Sequence, residues 1–276
     1  MAITAAEVNK LRQQTGAGMM DCKNALVEAN GDFETAIDLL RKKGQKIAAK
    51  RGDNEAKEGL IFAQSSTDGG AGVILTLNCE TDFVAKNEGF RNFVQSLVDV
   101  ALANMPASLE ELKALPYDAK LSVDEKLIEQ IGVLGEKLDL SKFETLKAGK
   151  VVAYNHPGNQ LATLVALNSG SEAAEDAGKQ VAMQVAAMSP IALNKDGVDA
   201  RTIEREIEVG KELAIQEGKP EEMAEKIAMG RLNKFFQENT LLSQQFVRDN
   251  KVTVEQFLES TEKGLTVVDF KRFSLS

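Results

Sequence analysis

Asn78-Cys-Glu-Thr-Asp-Phe-Val-Ala-Lys86 is the stretch in which the chain changes its period. Ahead of it, Val73, Leu75, Leu77 and Cys79 alternate with their neighbours. Leu60 and Phe62 do the same on the far side of Asp68-Gly69-Gly70, which is the pattern of a hairpin with a polar turn. Behind it, Phe90, Phe93, Val94, Leu97 and Ala101 recur at helical spacing. A strand therefore runs out into a turn and then a helix, and in that turn Phe83 stands beside Asp82. A large hydrophobe next to a charge has two readings. Either Phe83 folds back into its own core, as phenylalanine commonly does, or it is held out to enter a partner.

Upstream, the caps predict three short helices within the first fifty residues. Thr4-x-x-Glu7 is a capping box, Gly16 and Gly18 stop the first helix, Asp21 opens the second, Gly31 closes it, and Asp32 opens the third. Cys22, Ala25, Leu26 and Ala29 share one face, as do Phe33, Ala36, Ile37 and Leu40, which suits a compact three-helix unit. The turn Gly16-Ala-Gly-Met-Met20 carries two adjacent methionines that cannot both enter so small a core. One of Met19 and Met20 can plug the end of the bundle, and at least one is left as an adaptable surface for another protein. Arg41, Lys42, Lys43, Lys46, Lys50 and Arg51 follow without an intervening acid. They read as a solvated linker face at a helix C-terminus, where cations complement the dipole.

Downstream, a Ser122-x-x-Glu125 capping box opens a helix with Leu127, Ile128, Ile131 and Leu134 inward, after a less regular segment containing Pro106 and Pro116. Strands are expected at 139–147, and at 150–155 and 160–168 around the turn His156-Pro-Gly-Asn159. A helix follows from Ser171 to Met188, and the last strands are expected near 245–248 and 266–274. Between Ser189 and Phe236, two long charged helical patterns flank Glu217-Gly-Lys-Pro220, an antiparallel hairpin about 28 Å long at 1.5 Å per residue. Its expected seam sets Ile203, Ile207, Gly210 and Ala214 against Met223, Ile227 and Gly230. Sheets and helices in blocks give an α+β class. The expected units are a three-helix domain at 1–52, a first α+β subdomain at 53–148, a second built from 149–188 and 237–276, and a coiled-coil arm inserted at 189–236.

Composition narrows the function. A chain of 276 residues with 43% hydrophobic and 27% charged residues reads as soluble and globular. It shows no run of eighteen apolar residues and no basic-then-apolar leader, so a cytoplasmic protein without a membrane span or signal peptide is expected. A net charge of −9 repels phosphate backbones, so direct nucleic-acid binding is not expected. Cys22 and Cys79 sit in apolar patterns and read as reduced, buried thiols. No phosphate-binding loop, dinucleotide fingerprint, His-Glu-x-x-His or Cys-x-x-Cys is present. His156, the single histidine, has no second ligand near it in sequence, and Glu80 with Asp82 is too weak a pattern for an active site. No catalytic residue, metal or cofactor is expected.

Thr15-Gly-Ala-Gly-Met-Met-Asp-Cys-Lys-Asn-Ala-Leu26, followed some sixty positions later by Thr81-Asp-Phe-Val-Ala-Lys86, resembles bacterial elongation factor Ts. Further matches occur at Ile131-Gly132, around His156, at Gly218-Lys-Pro220 and at Gln245-Phe-Val247, so the similarity runs from about residue 3 to the last strand. The resemblance implies a ubiquitin-associated-like fold at the N-terminus and a coiled-coil arm inserted in the second core subdomain. It also implies a function, guanine nucleotide exchange on elongation factor Tu by protein contact and not by covalent catalysis. On this likeness Thr81, Asp82, Phe83 and Val84 approach the partner's Mg²⁺ site, with Phe83 wedged between helices of its GTPase domain. Met19 and Met20 anchor on that domain, Ile131 and Gly132 border the wedge, and His156 grips a later domain.

Two departures stand against the family pattern. Val247 matches a contact region, but Arg248 stands where a methionine is usual, and no C-terminal helix of the kind some members carry is expected after Phe273. A rival of another class is a binding adaptor whose three-helix unit captures ubiquitin-like or other peptides. It accounts for the first fifty residues but leaves Thr81–Val84 and the arm without a purpose.

Overall fold

The computed structural model describes residues 3–275, so Met1, Ala2 and Ser276, at the outer bounds of the first and last expected units, lie outside the described residues. Three N-terminal helices, α1 (Ala5–Thr15), α2 (Met19–Glu28) and α3 (Phe33–Arg51), close on Leu11, Cys22, Leu26 and Ala36. Thr4 and Glu7 form their capping box, and Asp32 caps α3 by accepting from the Thr35 N–H. Two expectations change here. Helix α2 starts at Met19, capped by Gly18, so both methionines ride on its first turn. Helix α3 is long, not short, and the basic stretch is its second half and not a linker, because Gly44 lets it lie directly on the helix that Ser122 opens. A methyl at Gly44 would come within 2.6 Å of the Ile128 carbonyl oxygen, so the close approach requires glycine.

The period change at 78–86 is realised as β1 (Glu58–Ser65), β2 (Ala71–Cys79), the single turn α4 (Asp82–Ala85) and α5 (Glu88–Asn104). Strands β1 and β2 pair antiparallel with Leu60 opposite Leu77 and Phe62 opposite Leu75. The segment before Ser122 holds a short helix, α6 (Leu109–Ala114), capped by Ser108 and burying Leu112. Its six residues are too few to show a period. Helix α7 (Val123–Leu134) follows, and β3 (Leu138–Lys147) joins β2 to complete the order β1-β2-β3. Leu60, Leu75, Phe90, Leu97, Leu127 and Leu140 fill the core between this sheet and its helices.

A second antiparallel sheet, of order β4-β5-β8, comprises β4 (Lys150–Asn155), β5 (Leu161–Leu167) and β8 (Val267–Ser274), with α8 (Glu172–Met188) on one face. The remaining faces of the two sheets meet: Ile61, Ile74, Leu164 and Ala166 form a core between them. Strands β1, β2 and β5 are thus covered on both sides, which is why they read as nearly continuous apolar runs. Side-chain bonds tie the sheets as well: the Asn155 carboxamide oxygen accepts from the Ala63 N–H at 2.8 Å, and its NH2 donates to the Ala63 oxygen at 2.8 Å.

The arm is α9 (Ala200–Gln216) and α10 (Glu221–Asn239), turned by Gly218 at φ 76° with Pro220 capping the return. Its seam differs from expectation on one side. Gly210 and Ala214 are buried against Ala224, Ala228 and Leu232, while Met223 and Gly230 face outward. The backbones approach so closely at Gly210, where a methyl would sit 3.1 Å from Ala228 Cα, that only small residues fit opposite it. Beyond the arm, the strand expected at 245–248 is only β6 (Gln245–Phe246), which pairs with β7 (Asp249–Thr253). An additional helix, α11 (Val254–Thr261), is capped by Thr253 and Gln256 and precedes β8.

Candidate partner-binding surface

Phe83 is 82% exposed, which rules out the reading that it fills its own core. It sits on α4, a single turn with no buried residue. An isolated helical turn of this length does not hold itself together in water, so its pose comes from the anchors on the residues that lead into it.

Those anchors are two carboxylates exchanged between neighbouring segments. Glu136, just beyond α7, accepts from the Glu80 N–H at 3.2 Å, the Thr81 N–H at 3.1 Å and the Thr81 hydroxyl at 2.6 Å. In return, Glu80 accepts from the Lys137 N–H at 2.6 Å, the Arg51 guanidinium at 2.7 Å and the Asn54 amide at 2.9 Å. Burial pushes the Glu80 carboxyl upward, but the Lys137 N–H, Asn54 and Arg51 outweigh it and hold the group below its usual value. The Lys137 ammonium donates to the Gly52 and Asn54 carbonyls at 2.6 and 2.9 Å, so the end of α3, the end of α7 and the end of β2 share one polar joint.

Around this joint the motif residues divide their work. Thr81 caps α4 by accepting from the Val84 N–H, and Val84 lies half-buried on the core below. Asp82 is paired with Lys86 at 2.7 Å, and that contact keeps its carboxyl below the usual range, so it is charged at neutral pH. Cys79 donates to the Thr81 carbonyl at 3.2 Å. Burial, and secondarily the nearby Glu136, pushes its thiol up to about 12, so it stays protonated and is not a nucleophile.

Helix α7 aligns other candidate residues with this turn. A methyl on Gly132 would meet Gly44 Cα at 2.9 Å, and one on Gly16 would touch Val133 Cγ1 at 3.8 Å. The turn that presents Met19 and Met20, 46% and 62% exposed, therefore lies against the same helix whose end holds Thr81. Ile131 is only 6% exposed and belongs to the core, so its side chain does not face a partner. Its own helical period had pointed inward. Gly132 likewise meets α3, and the pair supports the surface from below instead of forming its border.

His156 and Val247 lie elsewhere, on the side of the second sheet. His156 is exposed in its Pro-Gly turn, with its Nδ1 3.0 Å from the Tyr154 hydroxyl. Val247 is 50% exposed, but its N–H donates at 2.9 Å to Gln184, a fully buried side chain that also donates to Gln244 and to the Gln245 carbonyl. Arg248 reaches back to Gln180. Sequence reasoning missed Glu136, Lys137, Asn54, Gln184 and Gln244, and treated Arg51 as part of a linker. No local pattern marks residues whose partners lie at least 26 positions away.

Among the described residues there is no group of three His, Cys, Asp or Glu side chains that could hold a metal ion, and no helix is long and apolar enough to cross a membrane. With that surface in view, the comparisons with known proteins decide the family. The family model described as Elongation factor TS matches residues 80–276, and the protein named Elongation factor Ts from Amoebophilus asiaticus is 55% identical over 273 residues, 99% of this chain and 98% of that one. The chain belongs to the elongation factor Ts family. Its similarity to the elongation factor Ts proteins of Christiangramia forsetii, 53% identical, and Cytophaga hutchinsonii, 52% identical, likewise covers 99% of the chain and 98% and 99% of theirs. The elongation factor Ts match thus begins at Glu80, at the joint that holds Phe83, and the full-length relatives extend the likeness across the N-terminal helices.

Proposed function

We propose that this chain is the guanine nucleotide exchange factor of translation elongation, acting in the cytoplasm on elongation factor Tu. It binds the partner in its GDP-bound form, loosens the Mg²⁺ and phosphate site, and stabilises the nucleotide-free form until GTP enters. The observation that carries this reading is a phenylalanine 82% exposed on a turn whose entry, Glu80 and Thr81, is fixed by hydrogen bonds to Glu136 and Lys137.

Such a ring can bury about 150–250 Å² on entering another protein and can hold two of its elements apart by packing alone. Mg²⁺ requires near-ideal octahedral geometry, so a small displacement of its ligands expels it. Asp82, charged and exposed beside the ring, acts on that site once its Lys86 contact opens. Met19 and Met20 supply an adaptable contact on the partner's GTPase domain, His156 a second contact on a later domain, and Val247 a further contact. No step requires a covalent bond, a cofactor or a general base.

Linkage supplies the test. A factor that accelerates GDP release binds the empty partner more tightly than the GDP-bound one, and GDP weakens its binding by the same factor. Calorimetric titration into nucleotide-free elongation factor Tu, with and without saturating GDP, is expected to show affinity at least about 100-fold lower in GDP, a coupling near the upper end of the usual range. Equal affinity in the two states contradicts the proposal.

A further inference from the structure

We infer that Glu136 is a positioning residue for nucleotide exchange, holding the Phe83 ring in its working pose through Thr81. The inference rests on the wedge reading above and adds to it the device that aims the wedge.

Three observations lead here. First, the turn α4 buries none of its own residues, yet it carries the most exposed large hydrophobic side chain among the described residues. Hydrophobic packing beneath it comes only from the half-buried Val84 and Ala85, which leaves its orientation to polar bonds. Second, the Thr81 hydroxyl has one proton, and at 2.6 Å it gives that proton to Glu136. The lone pairs are then free for the Val84 N–H, so Glu136 sets the hydroxyl in the sense that the cap requires. Third, Glu136 receives three donors from Glu80 and Thr81, while Glu80 receives one from the Lys137 N–H and two from Arg51 and Asn54 at the end of α3. The backbone that leads into the turn is thus held by two carboxylates bonding in opposite directions.

The chemistry is specific to a carboxylate. Both Glu136 oxygens face donors, and the Glu80 and Thr81 N–H groups share one of them. A glutamine at this position keeps its oxygen on the two N–H groups only by turning its NH2 toward the Thr81 hydroxyl, which must then accept where it had donated, so the charge-assisted bond that orients the hydroxyl is lost. The side chain keeps its length and shape, but the joint loses its fit. Because Glu80 also binds Arg51 and Asn54, the same joint links the N-terminal helices to the wedge. Contact at Met19 and Met20 and contact at Phe83 are thereby held at one fixed separation.

The test is a double-mutant cycle in full-length protein, reading release of fluorescent GDP from elongation factor Tu against factor concentration. Glu136→Gln is expected to lower the maximal release rate about 10-fold, since small misplacements of a working group cost one to two orders of magnitude. The half-saturating concentration should stay within about twofold, because the other contacts remain. In a Phe83→Ala background the same change is expected to cost nothing further, since the residue acts only through the ring. Thr81→Val, which removes the hydroxyl and keeps the shape, should reproduce the loss, and circular dichroism should show each variant folded.

Unchanged release by Glu136→Gln and Thr81→Val overturns the inference while leaving the wedge standing, and so does a Glu136→Gln loss that persists in full when Phe83 is already alanine. Full release by Phe83→Ala alone removes the wedge itself, and the inference with it.

Discussion

The turn at Phe83 and the arm at 200–239 both show apolar side chains to solvent, and they do so by opposite means. The arm exposes Val209, Leu213, Ile215, Met223 and Met229 along two long helices that meet on a seam of Gly210, Ala214, Ala224 and Ala228. Its cross-helix ion pairs, Arg231 with Glu217 and Lys211 with Glu225, lie at the surface, where such pairs contribute roughly 0–1 kcal/mol. The Phe83 turn is four residues long and is anchored by hydrogen bonds to segments more than fifty positions away in each direction of the exchange. Exposure alone therefore does not rank the two surfaces. A fixed backbone under an exposed ring spends little ordering entropy on binding, whereas a thin two-helix arm can bend before it transmits force.

The sharpest way to break this contrast is to disturb the arm where its helices touch. Gly210→Val places a branched side chain 3.1 Å from Ala228 Cα and is expected to destabilise the arm by about 2 kcal/mol through overpacking. Gly230→Ala meets nothing within 4 Å and should be neutral or stabilising by up to about 1 kcal/mol. Hydrogen exchange resolved along the chain checks both, with the Gly210→Val loss confined to α9 and α10. If the change instead loosens the Phe83 turn, the two regions are not independent and the comparison fails.

Acid offers a milder probe aimed at the other region. Glu80 has its carboxyl held below the ordinary value of 4.5, net of a burial effect in the opposite direction, by Lys137, Asn54 and Arg51. A group depressed in the folded state contributes stability that is present above its unfolded value and is lost as pH falls through the folded value. Protection of the Lys137 amide is therefore expected to be constant from neutral pH down to about 5 and to weaken as the pH drops further below 4.5, with the arm unaffected over the same steps. Protection that weakens between pH 7 and 5 would contradict the assignment to this carboxylate.

How much of this was legible in sequence depended on whether the deciding chemistry was local. The caps at Thr4, Asp32 and Ser122 act within four residues of themselves, and each starts the helix it announced. The hairpin around Gly69 and the turn after Asn155 were equally plain. Helices α6 and α11, of six and eight residues, carry too little period to be seen. The arm's seam on α10 was misplaced at Met223, where apolar size suggested a contact and close approach selects Ala224 instead. At the candidate site the sequence could pose the alternatives for Phe83 but not choose between them without the family likeness. Ile131 shows the reverse failing: periodicity had it inward and the likeness had it at the wedge, and it is in the core.

The smallest expected change in stability and the largest expected change in activity fall on one residue. Phe83→Ala removes a side chain that is 82% exposed, so the unfolding free energy should move by less than about 0.5 kcal/mol, as for ordinary surface positions. Stopped-flow release of fluorescent GDP from elongation factor Tu is the direct measure of what that ring does. The unmodified chain should accelerate release strongly, and Phe83→Ala should lose at least about 30-fold of that acceleration, the size of an interface hot spot of 2 kcal/mol. Equal acceleration by the two proteins, both folded, would contradict the account.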